Sequence, residues 1–225
     1  MVRIHQSEIL LELWLSYYSR YFEDLFVFAG SYGRKGPGTF EDLKLKYNFN
    51  YIELTDHFYS QGSHERVFEK QKELLVDHEW VLYSDADEFV VADPDVYDGL
   101  RHFMDVCKVD QTYCEGFEVF QSEGELPLDY TRPILSQRGF WYKDTTKSYS
   151  KPALSRIPTD WDVGFHHIRN RDPQPVNVKE TGLYLLHMKY ADPDRVFDFM
   201  RDTTGNHGFN LGEAKPIPEK VRRTF

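Results

Sequence analysis

Sulfur is scarce in this chain. Its two cysteines, Cys107 and Cys114, do not form the Cys-x-x-Cys pair of a metal or redox motif, so free thiols in a reducing cytoplasm are the expectation. Long apolar runs are also missing. Glu8 and Glu12 interrupt the N-terminal apolar stretch, and nothing resembles an 18-residue apolar span, so neither a secretory leader nor an integral membrane segment is expected. There is no basic excess either: 27 Lys and Arg stand against 37 Asp and Glu, a net charge of −10. That balance argues against a nucleic-acid partner, because binding to a phosphate backbone runs on clustered Lys and Arg. The one basic cluster near an end, Lys220-Val-Arg-Arg223, is too short to anchor the chain to a membrane. Gly-rich phosphate cradles are lacking too. The segment Gly33-Arg-Lys-Gly36-Pro-Gly38 fits neither GxGxxG nor GxxxxGK[ST].

What is present is an ordinary globular composition, with 40% hydrophobic and 28% charged residues. Its 225 residues are enough for one sizeable α/β domain. Aromatic residues make up 16%, a material for stacking bases or sugars, although most are expected in the core.

The pattern along the first part alternates strand and helix. Met1–His5 reads as a strand. Ser7–Phe22 carries apolar residues at helical spacing (Ile9, Leu10, Leu13, Trp14, Tyr17, Tyr21). Leu25–Ala29 is a short apolar run of the kind buried parallel strands show, and Gly30–Gly38 is a loop. A helix at Phe40–Tyr47, a strand at Tyr51–Leu54 and a helix at His64–Val76 lead to a strand beginning at Trp80. This β-α-β-α-β-α-β order implies right-handed crossovers and a parallel sheet. Beyond Phe89 a helix at Val96–Val106 gives way to strand-like runs at Tyr113–Gln121, Tyr149–Arg156, Trp161–His167 and Tyr184–Lys189. A final helix is expected at Pro193–Thr203, before a polar tail; Pro193, with Asp192 and Asp194, fits its start.

The most informative stretch is Trp80-Val-Leu-Tyr-Ser-Asp-Ala-Asp-Glu-Phe-Val-Val91. If it is one strand, Asp85 and Asp87 point the same way at its carboxyl end, roughly 7 Å apart, where open α/β sheets bind ligands. Two carboxylates there suit a hard divalent cation that also holds a diphosphate. The plain alternative is a solvated acidic turn after a core strand. An EF-hand at Asp93–Gly99 is excluded, because its glycine falls one place late. A phosphohydrolase with an Asp-x-Asp nucleophile expects Thr or Val two residues past the second Asp, where Phe89 stands.

These motifs in this order resemble glycosyltransferase family 2, in the GT-A branch with an Asp-x-Asp-Glu-Phe signature. The resemblance rests on Glu8, Glu12-Leu-Trp14, Tyr17-Tyr18, the Phe-Val-Phe strand, Gln61 and Trp80–Phe89. It continues through Pro133–Arg138, Ser150-Lys-Pro152, Trp161–His167 and Leu186-His-Met-Lys189. The chain departs from the pattern at Ser7-Glu8, where Asn-Glu is usual, and in lacking Asn-x-Ser-x-Asp after the second strand.

The resemblance implies a single GT-A-type α/β domain, with a Rossmann-like nucleotide-sugar half (residues 1–92) and a mixed-sheet acceptor half (residues 93–225). It also implies Mn²⁺ or Mg²⁺, a nucleotide-sugar donor (UDP-sugar favoured), a carbohydrate or glycoconjugate acceptor, and transfer with inversion. Asp87 would ligate the metal. Asp85 would contact ribose or metal through water, and Ala86 lies between them at the donor. Glu88 would orient the turn. His187 is a candidate third ligand or else a core histidine. One of His166 and His167, His166 by preference, would face the cleft.

Lys151 would neutralise the diphosphate or be an exposed edge lysine; Arg138 would act likewise or pair with an acid. Arg3, His5, Glu8 and Arg66 are candidate donor contacts. The acceptor-activating base is sought at Glu125 or Asp129, with Asp144 and Asp162 as fallbacks. The competing readings are a phosphohydrolase and a catalytically silent sugar-binding module with the same fold.

Overall fold

The computed structural model describes residues 1–4, 8–30, 39–54, 61–145, 150–162, 165, 168–169, 177–179, 182–192 and 211–223. Among the described residues the fold is mixed α/β, as expected, with three sheets. The first consists of β1 (Val2–Ile4), β2 (Phe26–Gly30), β3 (Asn50–Leu54) and β5 (Ser84–Asp85), in the order β3-β2-β1-β5 and parallel throughout. Helices α1 (Glu8–Tyr18), α2 (Thr39–Tyr47) and α3 (Gln61–Leu74) make its connections. The alternation of the first part therefore forms a parallel sheet, with β2 largely buried and β3 at its more exposed edge. The chain leaves β1 toward β2 on one side and returns as β5 on the other. A reversal of this kind is where open α/β sheets bind ligands, at the strands' carboxyl ends.

The second sheet is β11-β7-β10-β4, from β4 (Val81–Leu82), β7 (Gln111–Tyr113), β10 (Pro152–Ser155) and β11 (Val178–Lys179). The third is β13-β9-β8-β12-β6, from β6 (Glu88–Ala92), β8 (Glu115–Val119), β9 (Phe140–Asp144), β12 (Leu183–His187) and β13 (Leu211–Pro216). It is antiparallel except where β8 and β12 pair in parallel. Helix α4 (Leu100–Val106), a 3₁₀ turn at Leu135–Gln137 and the short α5 (Glu219–Arg222) complete the described elements.

Several expectations need correction. The run from Trp80 to Val91 is not one strand. It divides into β4, β5 and β6, each in a different sheet, with a turn at Ala86-Asp87. Strand alternation therefore does not relate Asp85 to Asp87. The division arises because Tyr83 donates its amide to Ala153 at 2.8 Å, while the amide of Asp85 is captured by the Glu88 side chain at 2.8 Å. The run at Tyr113–Gln121 likewise breaks at Cys114, between β7 and β8. Helix α4 starts at Leu100 rather than Val96, because Asp93 caps a turn through Asp95 and Gly99 enters the helix at φ 95°. Among the described residues of Trp161–His167 there is no strand. Trp161 and Ile168 form an isolated bridge, and Phe165, at φ 61°, is stacked on Tyr83 and His64. The polar tail supplies the edge strand β13. The loop expected over Gly30–Gly38, apart from Gly30 in β2, and the helix expected at Pro193–Thr203 lie outside the described residues.

Among the described residues many of the large aromatic side chains are core. Trp14, Tyr17, Tyr18, Phe89 and Phe103 belong to the main buried cluster, and Tyr83, Trp161 and Phe165 to a second one. Among the described residues no helix is long and apolar enough to cross a membrane.

Candidate active site

The acidic turn is held from behind by α1. Trp14 donates its indole N–H to Ser84 Oγ at 2.8 Å. The Tyr18 hydroxyl accepts the Val90 amide at 2.7 Å and donates to the Glu88 carbonyl at 3.3 Å, and the Tyr17 hydroxyl donates to the Val90 carbonyl at 2.8 Å. Both arms of the turn are thus pinned to one helix, with β5 placed beside β1. Asp85 closes β5 at the carboxyl end, at the reversal.

Two layers of charge meet here. The side chains of Asp85 and Asp87 are 25% and 24% exposed, whereas those of Glu88, Lys151, Glu118 and His187 are no more than 6% exposed. Of these six only the two aspartates reach solvent appreciably; the other four form the floor. In that floor Lys151 Nζ lies 2.6 Å from Glu88 Oε2 and 3.8 Å from Asp85 Oδ2. The close contact is a charge pair rather than an aligned hydrogen bond. Asp85 Oδ1 also accepts the Tyr83 hydroxyl at 3.0 Å. Glu88, His187 and Glu118 sit opposite one another on β6, β12 and β8, and directly paired residues on neighbouring strands share a face. His187 Nδ1 lies 2.8 and 2.9 Å from the Glu118 oxygens, and its Nε2 lies 3.3 Å from Asp87 Oδ2.

The electrostatics follow from this packing. Burial alone would lower the His187 imidazolium, but Glu118 and Asp87 outweigh it and raise it to about 10. Burial would raise Asp87, but the charge and hydrogen bond of His187, aided by Lys189, draw it down to about 2. Glu88 is pushed up by burial, against the pull of Lys151 and with the help of Asp85 and Asp87.

Four carboxylates thus face three cationic side chains, Lys151, His187 and Lys189, a small excess of acid that suits a cation. Asp87 Oδ2 and His187 Nε2, joined by a hydrogen bond at 3.3 Å, stand near the roughly 3 Å separation of two donors at right angles about 2.1 Å from one ion, so loss of the Nε2 proton would free both for a shared cation. Among the described residues, no group of three or more His, Cys, Asp or Glu is placed to hold a metal ion, so at most two protein donors are offered here. The fit is that of a site in which water and substrate oxygens complete the shell.

The remaining candidates fall in different places. Ala86 is buried in the turn itself. Lys151 is wholly buried, neither an exposed edge lysine nor a free arm for phosphate. Arg138 is also buried and donates to the carbonyls of Ala191, Leu126 and Gln137, holding the loop before β9. Glu125 accepts the amides of Gly139 (2.6 Å) and Ser122 (2.8 Å), one on each oxygen. Asp129 is exposed and accepts the Thr131 amide and hydroxyl, which hold its carboxyl below the usual range.

Arg66 donates to the Glu53 carbonyl on β3, the far edge of the first sheet from Asp85, so the structure does not bring the two together. Asp144 is buried in β9, and Asp162 follows the bridge residue Trp161. His5, His166 and His167, and the side chains of Arg3 and Glu8, lie outside the described residues.

The sequence reading missed Glu118 and Tyr83. A lone acid within the apolar run Gly-Phe-Glu-Val was the available signal for Glu118; its partner was set by strand pairing far along the chain.

Compared with protein-family models and with curated proteins, the chain matches none.

Proposed function

We propose that the protein is a metal-dependent glycosyltransferase of GT-A type. It moves a sugar from a nucleotide-diphosphate donor, UDP-sugar favoured, to a hydroxyl of a glycan or glycoconjugate, with inversion. The observation that carries this reading is the pair of solvent-reaching aspartates at the reversal of a parallel sheet, beside an imidazole 3.3 Å from Asp87. Asp87 and His187 would hold Mn²⁺ or Mg²⁺, and Asp85 faces the ribose or a metal-bound water. Such an ion, when bound, supplies Lewis-acid stabilisation of the charge on the departing nucleoside diphosphate. Lys151 serves the donor indirectly: it offsets Glu88, and Glu88 fixes the turn by holding the Asp85 amide.

Asp129 is the proposed base that takes the acceptor's proton, because its carboxylate reaches solvent while both oxygens of Glu125 are committed to backbone amides. An apolar cavity of about 210 Å³, lined by Tyr17, Phe89, Tyr130 and Met188 among others, lies beside the same turn, where Met188 donates its amide to the Asp87 carbonyl.

The deciding experiment is calorimetric titration of UDP, GDP and dTDP with and without Mn²⁺, repeated on Asp87→Ala. Metal-dependent binding of one nucleotide, abolished in the variant, is the expected outcome. Absence of nucleotide binding under every metal condition would sink the transferase reading.

A further inference from the structure

Glu118 lies within the third sheet, 1% exposed, and both of its oxygens face a single ring nitrogen at 2.8 and 2.9 Å. A charge buried this deeply is costly unless it is paired, so the choice of partner has consequences. An ionised carboxylate only accepts hydrogen bonds. His187 Nδ1 therefore carries a proton whether the ring is charged or neutral. When the ring is neutral, its lone pair must sit on Nε2, the atom 3.3 Å from Asp87 Oδ2. The arrangement is directional: β8 supplies the acceptor, β12 the ring, and the turn before β6 the second metal donor.

We propose that Glu118 is a positioning residue of the metal centre: it fixes the proton on Nδ1 of His187 and so presents the Nε2 lone pair, beside Asp87, to a divalent ion. The proposal rests on the metal-dependent reading above and adds a residue that does not itself touch the ion. A carboxylate behind a ligating imidazole raises its basicity and locks its orientation. Loss of such a partner typically weakens metal affinity about 10- to 100-fold.

The test uses the full chain and Mn²⁺ alone as the probe. Nitrogen NMR of labelled histidine in the metal-free protein should show His187 protonated at Nδ1. Calorimetric titration should show Glu118→Gln binding Mn²⁺ about 10- to 100-fold more weakly than the parent, with an unchanged circular dichroism spectrum. Glu118→Asp keeps the charge on a shorter arm and should fall between them; it also serves as the readout if the glutamine variant does not fold.

A parent that binds no Mn²⁺ overturns the metal reading, and this proposal with it. A parent that binds Mn²⁺ while both variants bind within about threefold of it overturns the role of Glu118 alone. So does a neutral His187 ring protonated only at Nε2.

Discussion

Among individual residues, burial and hydrogen bonding separate groups that the sequence presents as equivalent acids. Glu125 and Asp129 belong to one loop, but the former secures that loop and the latter stands in solvent. Glu125→Gln should lower unfolding free energy by about 1–3 kcal/mol, the cost of weakening charge-assisted bonds to amides, with little change in turnover. Asp129→Asn should leave urea denaturation nearly unchanged and reduce kcat by about 10²- to 10⁴-fold. The reverse pattern would exchange the two roles.

The His187–Asp87 pair makes a second residue-scale prediction. The folded pKa of His187 is raised from 6.5 to about 10, so its contribution to stability is complete below about pH 6.5 and is lost as pH rises through 10. That of Asp87 is lowered from 3.8 to about 2, so its contribution is complete above about pH 3.8 and is lost as pH falls through 2. Thermal melts of metal-free protein should therefore show this pair's contribution at its largest between those two limits. It should decline on the alkaline side and vanish in His187→Gln.

For the elements, the tyrosines of α1 connect helix packing to the site. Tyr18→Phe removes the acceptor for the buried Val90 amide and should cost about 1–3 kcal/mol, measurable by urea denaturation. Mn²⁺ binding should weaken as well, because the Glu88 arm of the turn is pinned by the same hydroxyl.

Elements of this kind were legible where one periodicity ruled. The 3.6-residue spacing around Leu10, Trp14 and Tyr17 located α1, and Leu25–Ala29 located β2 closely. Where both faces of a segment are buried, as from Val81 to Ala92, apolar character continues through every break, and the sequence reads as a single strand. β13 left no signal because an edge strand such as Gly-Glu-Ala-Lys carries little apolar patterning. Lys151 read equally as a diphosphate contact or an edge lysine because its counter-ion, Glu88, comes from a distant part of the chain. The aspartates were legible from the abrupt end of an apolar run. Glu118 was not, because its meaning lies in the register of β8 against β12.

At the scale of the whole molecule, the three sheets meet at the site. The segment Val81–Ala92 gives β4 to the second sheet, β5 to the first and β6 to the third, and its acids lie at the seam. Cys114 marks a second such crossing, between β7 and β8. This interleaving bears on the halves at 1–92 and 93–225 that the sequence suggests. β4 takes its partner from β10, β6 from β12, and the floor beneath the aspartates is drawn from Lys151, Glu118 and His187. A donor half cut at that boundary would carry both aspartates and Glu88 without their counter-ions, and the remainder would keep His187 on Glu118 but leave Lys151 without Glu88. The site is not a cassette that can be transplanted with its motif; it is inherited by the whole chain or not at all.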